Sequence, residues 1–132
     1  MKRETEQWLN YADENFRSAK ILLESHLYNP SLQNAQQSIE KNLKAIMIEN
    51  GLKFQKTHSI STIVTYLGKH GISIHISEDD LDLIDTIYLS SKYPMGSVLP
   101  DFDPTEDICL RCIEIANSIQ SYITDQLISQ KM

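Results

Sequence analysis

The sequence predicts an all-α protein, an antiparallel up-and-down bundle of four to five helices. Apolar residues recur every three or four positions over most of the chain, which places them on one face of a helix. The connections between these segments are short, and three of the four prolines cluster within residues 94–104. No composition shift or low-complexity tract divides the 132 residues, so one domain spanning residues 1–132 is expected.

The first two helices have the clearest patterns. The first covers about residues 4–27, and its apolar stripe is Trp8, Ala12, Phe16, Ala19, Leu23 and Leu27. The second is predicted to begin with Asn29 as its cap and Pro30 at its first position, where a missing N–H costs nothing. Asn50-Gly51 is expected to end it, since Gly tolerates a left-handed backbone. Its inward residues are Leu32, Ala35, Ile39, Leu43, Ile46 and Met47.

Three further segments follow. A short third helix is predicted from about Ser59 to Lys69, after which Ile72–Ile76 alternates like a strand. A lone strand would have no partner in a helical bundle, so an extended connector is expected there. Ser77 resembles the start of a capping box for the fourth helix, which Tyr93-Pro94 ends. The last helix is predicted to begin at Asp103-Pro104 and to reach about Leu127.

Composition and charge narrow the classes of function. No apolar run approaches the roughly 18 residues of a membrane span, and no signal peptide is indicated. Residues 61–132 carry four Lys/Arg against eleven Asp/Glu, so broad binding to DNA is not expected. Cys109 and Cys112 lie three apart within a helical pattern, which suits a pair of buried thiols in a reducing compartment. We therefore expect a cytoplasmic protein without membrane contact.

Sequence motifs for chemistry are incomplete. The four histidines and two cysteines have no zinc-ligand spacing, and the four glycines form no phosphate loop. Asp79, Asp82 and Asp85 could share a helix face and hold Mg²⁺, but a solvated acidic face is the favoured interpretation. No catalytic residue, metal ligand or cofactor is therefore predicted from the motifs alone.

One stretch is more specific. It contains Tyr28-Asn29-Pro30, then the helix segment 34–45 (NAQQSIEKNLKA), then Glu49-Asn50-Gly51 and Lys56-Thr57-His58. This pattern resembles the HEPN family, the "higher eukaryotes and prokaryotes nucleotide-binding" domains, which carry an aromatic-Asn-Pro turn, a helix reading roughly A-Q-Q-A-x-E-K-x-L-K-A, and K-T-H. The resemblance extends over nearly the whole chain.

The resemblance implies a helical bundle that is often dimeric. Many prokaryotic members form a complex with a minimal nucleotidyltransferase, and some of these pairs act as toxin and antitoxin. Catalytic members cut RNA with an Arg and a His separated by four to six residues. Here no His follows Arg3, Arg17 or Arg111 at that spacing, and Lys92 stands before Tyr93 where relatives often hold Arg. Lys keeps the charge but loses the planar, bidentate grip on phosphate.

Two hypotheses follow. In the first, the chain is a binding module that meets a nucleotidyltransferase, a nucleotide or RNA, or a second copy through Gln37, Glu40, Lys41, Lys44, Lys56, His58, Lys92 and Tyr93. The plainer alternative is a solvated helix surface on which Glu40 and Lys44 form an ordinary pair four residues apart. In the second hypothesis, the chain is a ribonuclease toxin that uses His58 with Lys92 or Lys44. A homodimer is expected from the family and from the apolar residues Tyr93, Met95, Val98, Leu99 and Phe102.

Overall fold

The structure, a computed structural model, describes residues 1–92 and 104–131, with side chains within 1–89 and 104–129. Every secondary-structure element in these ranges is a helix, and the predicted all-α bundle is confirmed. The expectations for Tyr93, Asp103 and the apolar residues between them lie outside the described ranges. In chain order the helices are α1 (Arg3–Glu24), α2 (Tyr28–Glu49), α3 (Ile60–Lys69), α4 (Glu78–Lys92) and α5 (Glu106–Lys131).

Helix α2 is the centre of the bundle. It packs against each of the other four helices, most extensively against α1 and α5. Its apolar stripe is fully enclosed, as the spacing predicts, and Leu32, Ile39, Leu43 and Met47 are each 0% exposed. Because neighbours cover more than one face, polar positions of α2 are buried as well, which the amphipathic pattern alone does not indicate. These buried polar residues are Ser31, Gln36, Ser38, Glu40, Asn42 and Lys44.

The turn between α1 and α2 differs from its prediction. Helix α1 already ends at Glu24, and His26 follows in the left-handed conformation with φ of 60°. The N–H of Leu27 donates to the carbonyl of Leu22, which closes a Schellman turn. Helix α2 then begins at Tyr28, so the prediction that Asn29 caps it was wrong. Pro30 lies at the third position, where a helix also has no intrahelical partner for an N–H.

Other helix ends follow their local sequence. Gly51 ends α2 with φ of 66°, as predicted. Ser59 Oγ accepts the N–H of Thr62 at 3.2 Å and caps α3, and Ser77 caps α4 in the same way. Helix α5 begins two residues later than predicted, because Thr105 Oγ1 accepts the N–H of Ile108 at 3.2 Å and provides the cap. The segment between α3 and α4 is an extended connector, as expected.

Candidate functional site at the centre of helix α2

The carboxylate of Glu40 is the centre of a buried charged network. Glu40 is 3% exposed, and its neighbours one turn away on α2 are Gln36 and Lys44, since residues four apart share a helix face. Lys44 Nζ donates to Glu40 Oε2 at 2.8 Å, and Gln36 Nε2 donates to Oε1 at 3.2 Å. His58 contributes from the loop before α3, with its Nδ1 3.0 Å from Oε2. Both oxygens of the carboxylate are therefore engaged by donors.

The ammonium group of Lys44 lies within an aromatic enclosure. Its Nζ is 5.2 Å from the centroid of the Phe54 ring and 6.0 Å from that of Trp8. The two rings, from the loop after α2 and from α1, are themselves 5.8 Å apart. Lys44 is only 4% exposed, so the electron-rich ring faces and the Glu40 carboxylate replace its water shell.

His58 is the member of this network that is exposed at the surface. Its side chain is 47% exposed, whereas those of Glu40 and Lys44 are each 4% exposed. An ionised carboxylate only accepts hydrogen bonds, so the contact with Glu40 places a proton on Nδ1 of the imidazole. The ring stacks on Tyr88 of α4, with centroids 4.6 Å apart and planes 19° apart. A groove of about 510 Å³ opens here, lined by Thr57, His58, Ser59, Asp85, Tyr88 and Leu89.

Asp85 fixes the start of α3 directly after His58. Its Oδ1 accepts the backbone N–H of Ile60 at 2.6 Å, and its Oδ2 accepts the hydroxyl of Ser59 at 3.1 Å. A carboxylate is favoured at this end of a helix, where several N–H groups lack intrahelical partners. Asp85 thereby anchors the loop that presents the imidazole. Within the described ranges, no group of three His, Cys, Asp or Glu side chains could hold a metal ion.

The sequence-predicted site residues divide into two groups. Gln37 joins the network by donating to Gln36 Oε1 at 2.7 Å. Lys41 instead points toward α1, where its Nζ donates to Asn15 Oδ1 at 2.7 Å, and Lys56 is exposed on the loop. The alternative of a solvated face was wrong for Glu40 and Lys44, because the surrounding helices and rings bury both. The side chain of Lys92, and Tyr93 itself, lie outside the described part of the chain.

The sequence did not identify the aromatic residues around the network. Trp8 appeared only as a member of an apolar stripe, and Phe54 was not singled out. The available signal was the position of Glu40 and Lys44 in the middle of α2, each directly after a residue of the apolar stripe, Ile39 and Leu43. A charged pair in such a helix can be enclosed only where other elements supply rings or hydrogen bonds to it.

Two of the three arginines have partners elsewhere. Arg17 Nε lies 3.1 Å from Asp13 Oδ2 on α1. Arg111 on α5 binds Asp80 of α4, with one guanidinium nitrogen 2.8 Å and 3.0 Å from the two carboxylate oxygens. No arginine contacts His58 among the described residues, which agrees with the missing Arg–His spacing.

The two cysteines are buried free thiols, as predicted. Cys109 Sγ donates to the carbonyl of Tyr28 at 3.4 Å, and burial raises the pKa of this thiol. Burial also raises the pKa of Cys112, to about 12. Both side chains therefore stay protonated near neutral pH and act as small core residues.

Helical bundles with this arrangement are known. An archaeal HEPN homologue, ST0689, has a TM-score of 0.71 at 25% identity, with 96% of this chain and 98% of that one covered. TT1696 from Thermus thermophilus has a TM-score of 0.74 at 21% identity, covering 94% and 98% of the two chains. A HEPN domain protein from Thermotoga maritima gives 0.67 at 22% identity, covering 92% and 97%. The last two similarities concern the fold alone.

The chain belongs to the class of HEPN-type helical bundles, with a buried polar network on its central helix. Residues 5–126 match the sequence model of the HEPN domain, and the chain is a member of the HEPN family. "Putative toxin MJ1304" of Methanocaldococcus jannaschii is 36% identical over 56 residues. That match covers 42% of this chain, and only about a third (36%) of the length of that relative. No helix in the described ranges is long and apolar enough to span a membrane.

Proposed function

We propose that this HEPN domain is a binding module that acts with a minimal nucleotidyltransferase in a two-component, toxin–antitoxin-like system. The observation that carries the proposal is the network around Glu40. In this network Gln36, Glu40 and Lys44, polar residues of the family pattern on α2, bind one another inside the protein. Its solvent-facing member is His58, beside an open groove. The site therefore presents the imidazole of His58 beside a groove, whereas the ammonium group of Lys44 is enclosed.

Three further observations support a recognition role. The relative from Methanocaldococcus jannaschii is named a toxin, which is consistent with a two-component system. The groove beside His58 and Tyr88 has a volume of about 510 Å³, within the range of small-molecule sites. Its stacked rings suit a planar base, so we propose a nucleotide or a partner side chain as the occupant. Lys56 is exposed on the same loop and carries a positive charge directly before the lining residue Thr57 in the sequence.

A ribonuclease toxin is the second candidate. It is favoured by one observation, the hydrogen bond that orients His58 through Nδ1, which is typical of a general base held by a carboxylate. Of the two cations predicted to bind the transition-state phosphate, the side chain of Lys92 lies outside the described part of the chain. Lys44 is enclosed by Glu40, Phe54 and Trp8, so it could reach RNA only if the network opened.

Co-expression tests the module directly. The open reading frame beside this gene should encode a small nucleotidyltransferase, and the two proteins should purify as one complex of defined mass by light scattering. His58→Ala should weaken that complex about tenfold if the imidazole is an anchor of the interface. His70→Ala is the matched control, because His70 is an exposed histidine whose Nδ1 contacts the carbonyl of Tyr66 at 3.0 Å.

Two outcomes would reject the proposal. The first is separate elution of the two proteins at micromolar concentration. The second is an equal effect of His58→Ala and His70→Ala on the complex, which would remove the groove from the interface. The same light-scattering run measures the oligomeric state of the chain alone, for which we propose a homodimer. We also propose that the protein acts in the cytoplasm.

A further inference from the structure

The extended connector between α3 and α4 is not used by the network on α2. Ile72, Ile74 and Ile76 pack against the core, whereas Ser73 and His75 between them are exposed. This alternation is that of a β-strand lying flat on the bundle. In the described part of the chain, the backbone groups of residues 73–76 form no hydrogen bond with the rest of the protein. Their N–H and C=O groups are therefore unpaired, like those of an edge strand.

A groove of about 550 Å³ follows this edge. One wall is the connector at residues 74–77, and the other is α5, with Ile115 and Ile119 giving an apolar lining. A smaller hollow continues past His75 to Tyr122. The rings of these two residues meet edge to face, with centroids 6.1 Å apart. A backbone edge beside a channel that is lined by both isoleucines and polar side chains suits an extended peptide that binds by strand addition.

The charges around the groove indicate the charge of the peptide that would bind there. Arg111 is the groove's one basic residue apart from histidine, and its charge is already matched by Asp80 at 2.8 Å. Glu114 on the α5 wall has no cation within ion-pair distance among the described residues, and Glu78 and Asp79 are exposed at the start of α4. The rim is therefore acidic overall, and a basic ligand complements it.

We propose that the edge of residues 73–76 is a docking site for an extended basic segment of a partner protein, in which apolar side chains alternate with Lys or Arg. The backbone of the segment would pair with the connector, its apolar side chains would enter the channel, and its cations would face Glu114 and the first turn of α4. This surface is distinct from the groove at His58, so it does not depend on the nucleotidyltransferase complex.

The probe is a fluorescein-labelled heptapeptide in which Lys alternates with Val, and its binding is measured by fluorescence anisotropy at low salt. A peptide with Glu in place of Lys should not bind. The Lys/Val peptide N-methylated at alternate amides should bind about tenfold more weakly, because it keeps the charge but loses donors to the edge. Glu114→Lys should reduce affinity about fivefold or more, whereas Asp125→Lys, an exposed charge reversal on the same helix, should not.

Several results would overturn this proposal. These are no binding of the Lys/Val peptide, equal binding of its N-methylated form, and equal effects of the two charge reversals. Circular dichroism checks that both variants keep the helical fold. A further contradicting result is concentration-dependent protection of amides 73–76 from hydrogen exchange in the protein alone, since it would assign the edge to a second copy of the chain.

Discussion

Two ion pairs with the same sequence spacing have opposite surroundings in this protein. Glu40–Lys44 on α2 and Asp13–Arg17 on α1 both join residues four positions apart. In the first pair each side chain is 4% exposed. In the second pair the side chain of Arg17 is 65% exposed and that of Asp13 is 49% exposed. The inter-helix pair Asp80–Arg111 is intermediate, at 17% and 53%. The difference shows that the position of a helix in the bundle, and not the spacing of its charges, decides how deeply a pair is buried.

The largest expected effect is at the buried pair. Glu40→Leu leaves the Lys44 ammonium enclosed without its carboxylate, and we expect a loss of about 3–5 kcal/mol in the free energy of unfolding. Urea denaturation followed by circular dichroism measures this. The double variant Glu40→Leu/Lys44→Leu removes both charges and should recover most of the loss. A single variant within about 1 kcal/mol of the original protein would show that the pair is not enclosed as described.

Glu49 provides a pH-dependent comparison. The backbone N–H of Lys2 donates to Glu49 Oε1 at 2.9 Å and lowers the pKa of this carboxyl below its ordinary 4.5, with a further donor in the Thr5 hydroxyl at 2.9 Å. A lowered pKa in the folded state adds stability above pH 4.5, and that stability is lost as the pH falls through the lowered value. The advantage over Glu49→Gln, about 1 kcal/mol at neutral pH, should therefore shrink in acid.

The control for this pH series is Glu24→Gln at the exposed end of α1. Its difference from the original protein should stay nearly constant between neutral pH and about pH 3, because the exposed Glu24 side chain has no hydrogen-bond or ion-pair partner among the described residues. A constant advantage of the original protein over Glu49→Gln across the same range would disprove the link to Lys2 and Thr5.

A smaller effect is expected at Asp80. Asp80→Asn keeps the backbone N–H that donates to Ser77 Oγ but removes the charge that Arg111 binds. We expect a loss of about 0.5–1 kcal/mol in the free energy of unfolding. Thermal unfolding at low and high salt measures it, since salt screens partly exposed pairs. A loss as large as that of Glu40→Leu would mean that burial does not rank the pairs.

The smallest effect is expected at the surface pair of α1. Arg17→Met should cost about 0.3–0.5 kcal/mol, the usual contribution of an exposed pair four residues apart. The loss should disappear at high salt in the same thermal unfolding series. A loss above about 1 kcal/mol would indicate a contact of Arg17 beyond Asp13.

Local signals explain why most of the fold was predictable. The stripes of α2 and the caps at Ser59, Ser77 and Gly51 depend on residues within one or two turns, so the sequence indicates them directly. Helix starts were displaced where several residues compete. Thr105 provides the hydroxyl that caps α5, and the first turn of α2 accommodates Asn29 and Pro30 without using either as a cap.

The sequence indicated that Gln37, Glu40, Lys44 and His58 share a surface, and the structure places them near one another, whereas Lys41 points toward α1. Whether these residues form a binding site stays a prediction, and the sequence did not indicate their environment. Their burial results from contacts between distant segments, since Trp8 and Phe54 meet over Lys44 from positions 36 and 10 residues away in the sequence. A periodic pattern defines the faces of one helix but does not indicate how many of those faces its neighbours cover.

Incubation of the purified chain with total RNA or tRNA tests the central claim most directly. A binding module whose lysine is paired with Glu40 inside the bundle predicts intact RNA, together with normal growth when the chain is overproduced alone. RNA cleavage that persists through purification and is lost in His58→Ala, but not in His70→Ala, would contradict this and assign the chain as a ribonuclease toxin.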